Sequence, residues 1–235
     1  MPDKKVAILQ SSYIPWKGYF DLINMVDEFI LYDDRQYTKR DWRSRNRIKT
    51  ANGLFWLSVP VKVKGRFTQR IDEVTVDDPG WARKHWQTIA QNYSAAPHFK
   101  AYRGVFEHVY QEVANGLERL TDVNRALIEA VTGVLGIKTR ITRSTDYPES
   151  SSDRTGNLVD LCKAAEATSY LSGPSARAYI EVKRFEQAGI ALSYMDYSGY
   201  PEYPQLFPPF EHQVTVLDLL FNAGPEAQSF MKSFK

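Results

Sequence analysis

The chain has one cysteine, Cys162, four histidines, and no apolar run that approaches the ~18–20 residues needed to span a bilayer. One thiol excludes an internal disulfide framework and a cysteine-rich zinc site. No histidine stands in a His-x-x-x-His pair, so no metal centre is expected. The Gly-x-Ser-x-Gly elbow and the Gly-x-x-x-x-Gly-Lys-Ser/Thr loop are missing too, which sets those hydrolase and ATPase readings aside. Charge of one sign is also lacking. Thirty Lys and Arg against 28 Asp and Glu leave +2, too balanced for whole-surface binding to nucleic acid or membrane, so an anionic partner must be read locally. The first 20 residues carry no signal-peptide core, and with the single cysteine this points to a reducing, cytoplasmic setting.

What the 235 residues do have is aromatic surface: 13% Phe, Trp and Tyr, with 14 Tyr and 5 Trp. Such rings combine stacking area with a polar handle and suit a ring-bearing ligand, although many will be core. Apolar periodicity gives an organisation. A short strand at 6–9, a helical face through Tyr19, Phe20, Leu22, Ile23 and Val26, and a strand at 29–32 form a βαβ unit, which closes right-handed onto a parallel sheet. The rhythm returns late, with strands expected at 137–142, 169–172 and 190–195 and helices at 156–165 and 175–187. Between the halves, 54–63 and 71–76 alternate like antiparallel strands, followed by helices at 80–92, 102–112 and 117–134. A Pro/Tyr-rich loop at 197–209 precedes a last helix at 214–222. The expected fold is therefore one α/β domain over 1–235. It has three layers and a mainly parallel, Rossmann-like sheet, interrupted by an α+β insertion at about 50–134.

In an open parallel sheet, ligands bind beyond the carboxyl ends of the strands. Three segments lie there. The loop Gln10 to Phe20 opens a helix, and a base or anion could lie against Tyr13 or Trp16 with Lys17 as a point charge; a tight turn with aromatic anchors is the other reading. It resembles the nucleotidyltransferase loop that ends in Gly-His, but Tyr19 stands where the imidazole would be. The second segment packs seven cations and one acid into 35–49, including Lys39, Arg43, Arg45 and Arg47, interleaved with Tyr37 and Trp42. Arg gives bidentate bonds to phosphate, so a diphosphate or coenzyme phosphate is the favoured partner and nucleic acid the weaker one; a basic solvated turn is the bland alternative. The third is Ser172-Gly173-Pro174-Ser175, a capped helix start that can also cradle an anion.

Acid and base candidates are sparse: His85, His98, His108 and His212, with Asp33, Asp34 and Asp196 at strand ends. Cys162 reads as an inert buried thiol.

Taken in order, VAILQSSYIPWKGYFDLINMVDEFILYDD, QYTKRDWRSRNRI, WLSVPV, YLSGPSARAYI and YPQLFPPFEHQVTVLDLLFNAG resemble the WbqC-like family of bacterial proteins, over about 6–224. The resemblance implies a step in surface-polysaccharide (O-antigen) biosynthesis, and specifically N-acylation of an amino sugar on a nucleotide carrier. The partners would then be a nucleotide-linked sugar and an acyl donor such as acetyl-CoA, with no tightly bound cofactor. His85 or Asp33 would take the amine proton. Gln10, Tyr13, Trp16, Lys17, Lys39, Arg43, Arg45, Arg47, Ser172, Gly173, Ser175 and Tyr203 would hold the two anionic substrates. Nucleotidyl transfer and a purely binding role are the competing classes.

Overall fold

The computed structural model describes residues 3–78, 80–148 and 153–234. Five strands, β1 (Lys5–Leu9), β2 (Glu28–Leu31), β5 (Arg140–Arg143), β6 (Ser169–Ser172) and β7 (Ala191–Tyr194), pair in parallel in the order β5-β2-β1-β6-β7. Taken in chain order, the parallel strands run third, second, first, fourth, fifth. The chain thus builds outward on one side of β1 and then crosses to the other, which is the Rossmann-like order with its switch point between β1 and β6. The protein is accordingly an α/β fold.

The alternation along β1 explains the three layers. Val6 and Ile8 face one cluster, joined by Ile30 of β2 and by Leu158, Cys162 and Phe185 from α5 (Arg154–Ala164) and α6 (Val182–Gln187). Ala7 faces the other, joined by Phe29 and Leu31 and by Phe20, Ile128 and Leu220 from α1 (Lys17–Asn24), α4 (Leu120–Leu135) and α7 (Val216–Ala223). Each large apolar side chain so buried contributes about 1.5–3 kcal/mol. The second cluster runs on without a break into α2 (Trp81–Tyr93) and α3 (Phe99–Gly116). Gly136 ends α4 in the left-handed region at φ 71°, a conformation only glycine takes at little cost.

The segment between β2 and β5 contains an antiparallel hairpin, β3 (Arg45–Thr50) and β4 (Gly53–Ser58), so the expected insertion boundary at about 50 falls inside the hairpin. Two expectations are corrected here. The partner of β4 is the arginine-rich stretch and not 71–76: the half-buried Arg45 and Arg47 alternate with the buried Asn46 and Ile48, and Lys49 is buried as well, its ammonium donating to Gln205 Oε1 (3.0 Å). At 71–76 the buried Ile71 and Val74 lie three apart on a 3-10 turn, with only isolated bridges at Val61–Val76 and Thr75–Arg119. The single helix expected at 175–187 is also divided, into a 3-10 turn (Pro174–Ala178) and α6. Thr155 of α5 occupies the break: its hydroxyl donates to Tyr179 O (3.4 Å) and accepts from Glu181 N (3.3 Å). Among the described residues no helix is long and apolar enough to cross a membrane.

Candidate functional site

A cleft of about 1220 Å³ opens at the switch point, beyond the carboxyl ends of β1, β2 and β6. This exceeds the ~300–1,000 Å³ of a typical small-ligand pocket and is room for two substrates side by side. Among the described residues its charged lining is Arg35, Arg43 and Arg154, with no carboxylate. Three cations lining one concave site favour an anion, even though Arg35 also pairs with Asp34 outside the lining (2.9 Å).

Six residues of the expected set come together here: Gln10, Trp16, Arg43, Ser172, Gly173 and Ser175. Gln10 follows β1 directly and its Oε1 accepts from Arg43 Nη1 (3.2 Å), tying the β1 loop to the basic segment. Its carbonyl accepts from the Tyr19 hydroxyl (3.1 Å), so the tyrosine at the Gly-His position is a buried brace with its hydroxyl pushed well above the usual range by burial. Trp16 packs edge-on against Tyr197 (5.2 Å) and Tyr200 (5.4 Å), two tyrosines of the Pro/Tyr-rich loop that also line the cleft. Gly18 makes that indole position possible, since a Cβ there would sit 2.4 Å from the ring.

The other eight lie elsewhere. Tyr13 is buried, its hydroxyl 2.7 Å from His85 Nδ1 and 2.6 Å from the Tyr110 hydroxyl. His85 sits in α2 against Trp81 (5.0 Å) and does not line the cleft; burial lowers its pKa to about 4. Asp33 is buried and accepts from Ser11 N (2.8 Å) and Thr121 Oγ1 (2.5 Å), joining the β1 loop, the β2 end and α4; burial raises its carboxyl above the usual range. That bonding gives Asp33 a structural task, and it is not among the residues that line the cleft. Lys17 is buried beneath the Tyr-rich loop, where its ammonium donates to Pro201 O (2.9 Å) and lies over Tyr200 and Tyr203; burial lowers it to about 8. Tyr203 is likewise internal, donating to Asp218 (2.8 Å). Lys39 lies over Phe67 (5.2 Å) and Arg45 over Trp56 (4.2 Å). Arg47 donates to Gln213 Oε1 (2.6 Å), and because Gln213 lines the cleft, Arg47 supports the rim.

Three further cleft residues lie outside the expected binding set: Arg35, which the basic segment contained; His212, one of the four candidate histidines; and Arg154, which no motif marked. Arg35 lies on the Tyr32 ring (4.5 Å) and pairs with Asp34 (2.9 Å). Arg154 lies over Tyr179 (5.9 Å), which lines the cleft with it. Among the described residues His212 is the histidine that lines the cleft, edge-on to Phe210 (4.6 Å), with Nδ1 buried and unbonded. The signal for Arg154 was present: a cation in the first turn of a helix opposes the macrodipole, and such a placement asks for another reason. Cys162 is buried in α5 and burial pushes its thiol up to about 12, away from nucleophilic use. Among the described residues no group of three His, Cys, Asp or Glu is placed to hold a metal ion.

Comparison with known proteins agrees with the breadth of this pattern. The sequence model described as the WbqC-like protein family matches residues 10–230. The uncharacterized protein Rv1507c of Mycobacterium tuberculosis is 51% identical over 229 residues, covering 97% of this chain and 98% of its own length. No solved structure matches the chain.

Proposed function

The chain belongs to the WbqC-like family, and from that premise we propose that it transfers an acyl group, acetyl or aminoacyl, from a thioester donor such as acetyl-CoA to the amine of a nucleotide-linked amino sugar in surface-polysaccharide biosynthesis. The observation that carries the reading is the switch-point cleft whose charged lining, among the described residues, is cationic, and which is large enough for two substrates that each present a diphosphate. Arg35, Arg43 and Arg154 bind phosphoryl oxygens, while Trp16, Tyr197 and Tyr200 pack on a sugar or base. The amine nitrogen attacks the thioester carbon, the carbon–sulfur bond breaks as the amide forms, the amine proton leaves to a base, and the departing thiolate takes up a proton to give the free thiol. In this reading His212, which lines the cleft, takes that proton, in place of the His85 or Asp33 that the family resemblance implied.

A thermal-shift screen of the full chain tests this, because a ligand bound only by the folded state adds about 2.7 kcal/mol at a hundred times its Kd. Stabilisation by an amino-sugar nucleotide and by acetyl-CoA, followed by release of free thiol when both are present, is the expected result. Stabilisation by a nucleoside triphosphate alone, with Mg²⁺-dependent pyrophosphate release, would replace acyl transfer with nucleotidyl transfer.

A further inference from the structure

The basic cluster is larger than the cleft uses. Between residues 35 and 70 stand eleven Lys and Arg and one acid, Asp41, whereas the rest of the chain holds 19 against 27. The same segment exposes apolar surface that a folded protein normally covers: Trp42 (40%), Leu54 (38%), Phe55 (50%), Trp56 (40%) and Phe67 (73%). Trp42 and Trp56 pack together at 5.5 Å, with Arg45 over Trp56 and Arg47 over both rings. Leu54 and Phe55 follow directly on the turn of the β3–β4 hairpin. Lys39 lies over Phe67, whose carbonyl accepts from Gln36, a cleft-lining residue (2.9 Å).

We propose that the exposed β3–β4 hairpin, with Leu54 and Trp56 on the face of Arg45 and Arg47 and the half-exposed Phe55 on the face of Ile48, docks on the surface of an anionic phospholipid bilayer. Amphipathic rings with guanidinium and ammonium groups beside them are what the headgroup layer accommodates, the rings at the boundary and the cations among phosphates. The tip decides between anionic partners. A single-stranded nucleic acid uses ring faces and a continuous basic groove, and has no use for an exposed aliphatic Leu54 in the strand beside the turn; acyl chains do. A protein partner would seal such rings in a centre depleted of charge, whereas here a cation accompanies each exposed tryptophan and Phe67. The face is continuous with the cleft, because Trp42 lines both and Arg47 bonds Gln213 at the cleft rim. A docked molecule therefore presents its cleft at the membrane. Docking there does not depend on acyl transfer in the cleft and stands if that chemistry fails.

Co-sedimentation of the full chain with phosphatidylcholine vesicles, with and without phosphatidylglycerol, tests it. The protein partitions onto the anionic vesicles, and binding falls as ionic strength rises. The paired change Leu54→Ser and Phe55→Ser lowers the partition coefficient about tenfold. Lys64→Gln with Arg66→Gln, two exposed cations of the same segment, lowers it about fivefold for each cation removed. Equal binding to the uncharged vesicles overturns the proposal, and so does no binding by a protein whose thermal unfolding is normal. Retention of a labelled single-stranded oligonucleotide that the Leu54/Phe55 change abolishes, with no vesicle binding, overturns it in favour of nucleic acid.

Discussion

Asp33 offers the sharpest separation of structure from catalysis. Its carboxylate takes the backbone N–H of Ser11 and the hydroxyl of Thr121 in a buried site, so Asp33→Ala strands two donors. At about 1–3 kcal/mol each, less the relief of no longer burying a carboxylate, the expected loss is about 3 kcal/mol. With a urea slope of about 2 kcal/mol/M, the unfolding midpoint falls by roughly 1.5 M. Asp33→Asn is different, because its amide oxygen can accept from Ser11 and its NH₂ can donate to the Thr121 oxygen, so its cost at neutral pH is about 1 kcal/mol or less. Burial raises the Asp33 pKa in the folded state. The stability it contributes as a neutral acid is therefore complete below the unfolded value of about 3.9 and is lost as pH rises through the folded value. The asparagine has no such loss, so the wild-type advantage over Asp33→Asn shrinks from acid toward neutral pH. Urea titrations at several pH values measure this. An alanine variant within about 0.5 kcal/mol of wild type would refute the structural role, and an asparagine variant that folds and binds normally yet does not turn over would return Asp33 to proton transfer.

Three further outcomes follow from the same geometry. Arg43→Met keeps the aliphatic stem but removes the guanidinium from the cleft, so calorimetric titration with a nucleoside diphosphate sugar shows affinity about 10- to 100-fold lower while the thermal midpoint is nearly unchanged. His85 has a folded pKa lowered to about 4, so the stability of its neutral form is lost as pH falls from about 6.5 through that value; His85→Gln, scanned by thermal unfolding, flattens this acid limb. Gly18→Ala drives a methyl into the Trp16 indole, costing about 1–3 kcal/mol by thermal unfolding and weakening the same ligand through displacement of a cleft wall.

Much of the fold was legible because period and burial coincide. KVAIL and EFIL are short, apolar and buried on both sides, as central parallel strands must be, and the loops after β1 and β6 fell at the switch point once the βαβ order was assigned. The hairpin was illegible for the opposite reason. In RNRIKT the apolar signal is a single Ile48, and the second inward residue is Asn46, which is buried by donating its amide to the carbonyls of Tyr13 (3.1 Å) and Ile14 (2.6 Å), a long-range match no local pattern displays. The break between Ala178 and Val182 likewise depends on Thr155, more than 20 residues away in sequence.

The site was half legible, and the arginine cluster shows why. As a string of charge, residues 35–49 read as one anion-binding device, but position relative to the hairpin divides it. Arg35 and Arg43 precede β3 and reach the cleft; Arg45 and Arg47 stand on one face of β3, opposite Ser58 and Trp56, and lean on exposed indoles. Arg154 completes the cleft's charge from a helix start more than a hundred residues later. Composition reports that cations are concentrated, and only register assigns them to surfaces: one concave and suited to phosphates held singly, the other convex and suited to many phosphates in a plane. Removing Arg43 should therefore weaken a soluble nucleotide and spare vesicle binding, whereas removing Leu54 and Phe55 should do the reverse; one change that abolished both would mean that the two faces are a single site.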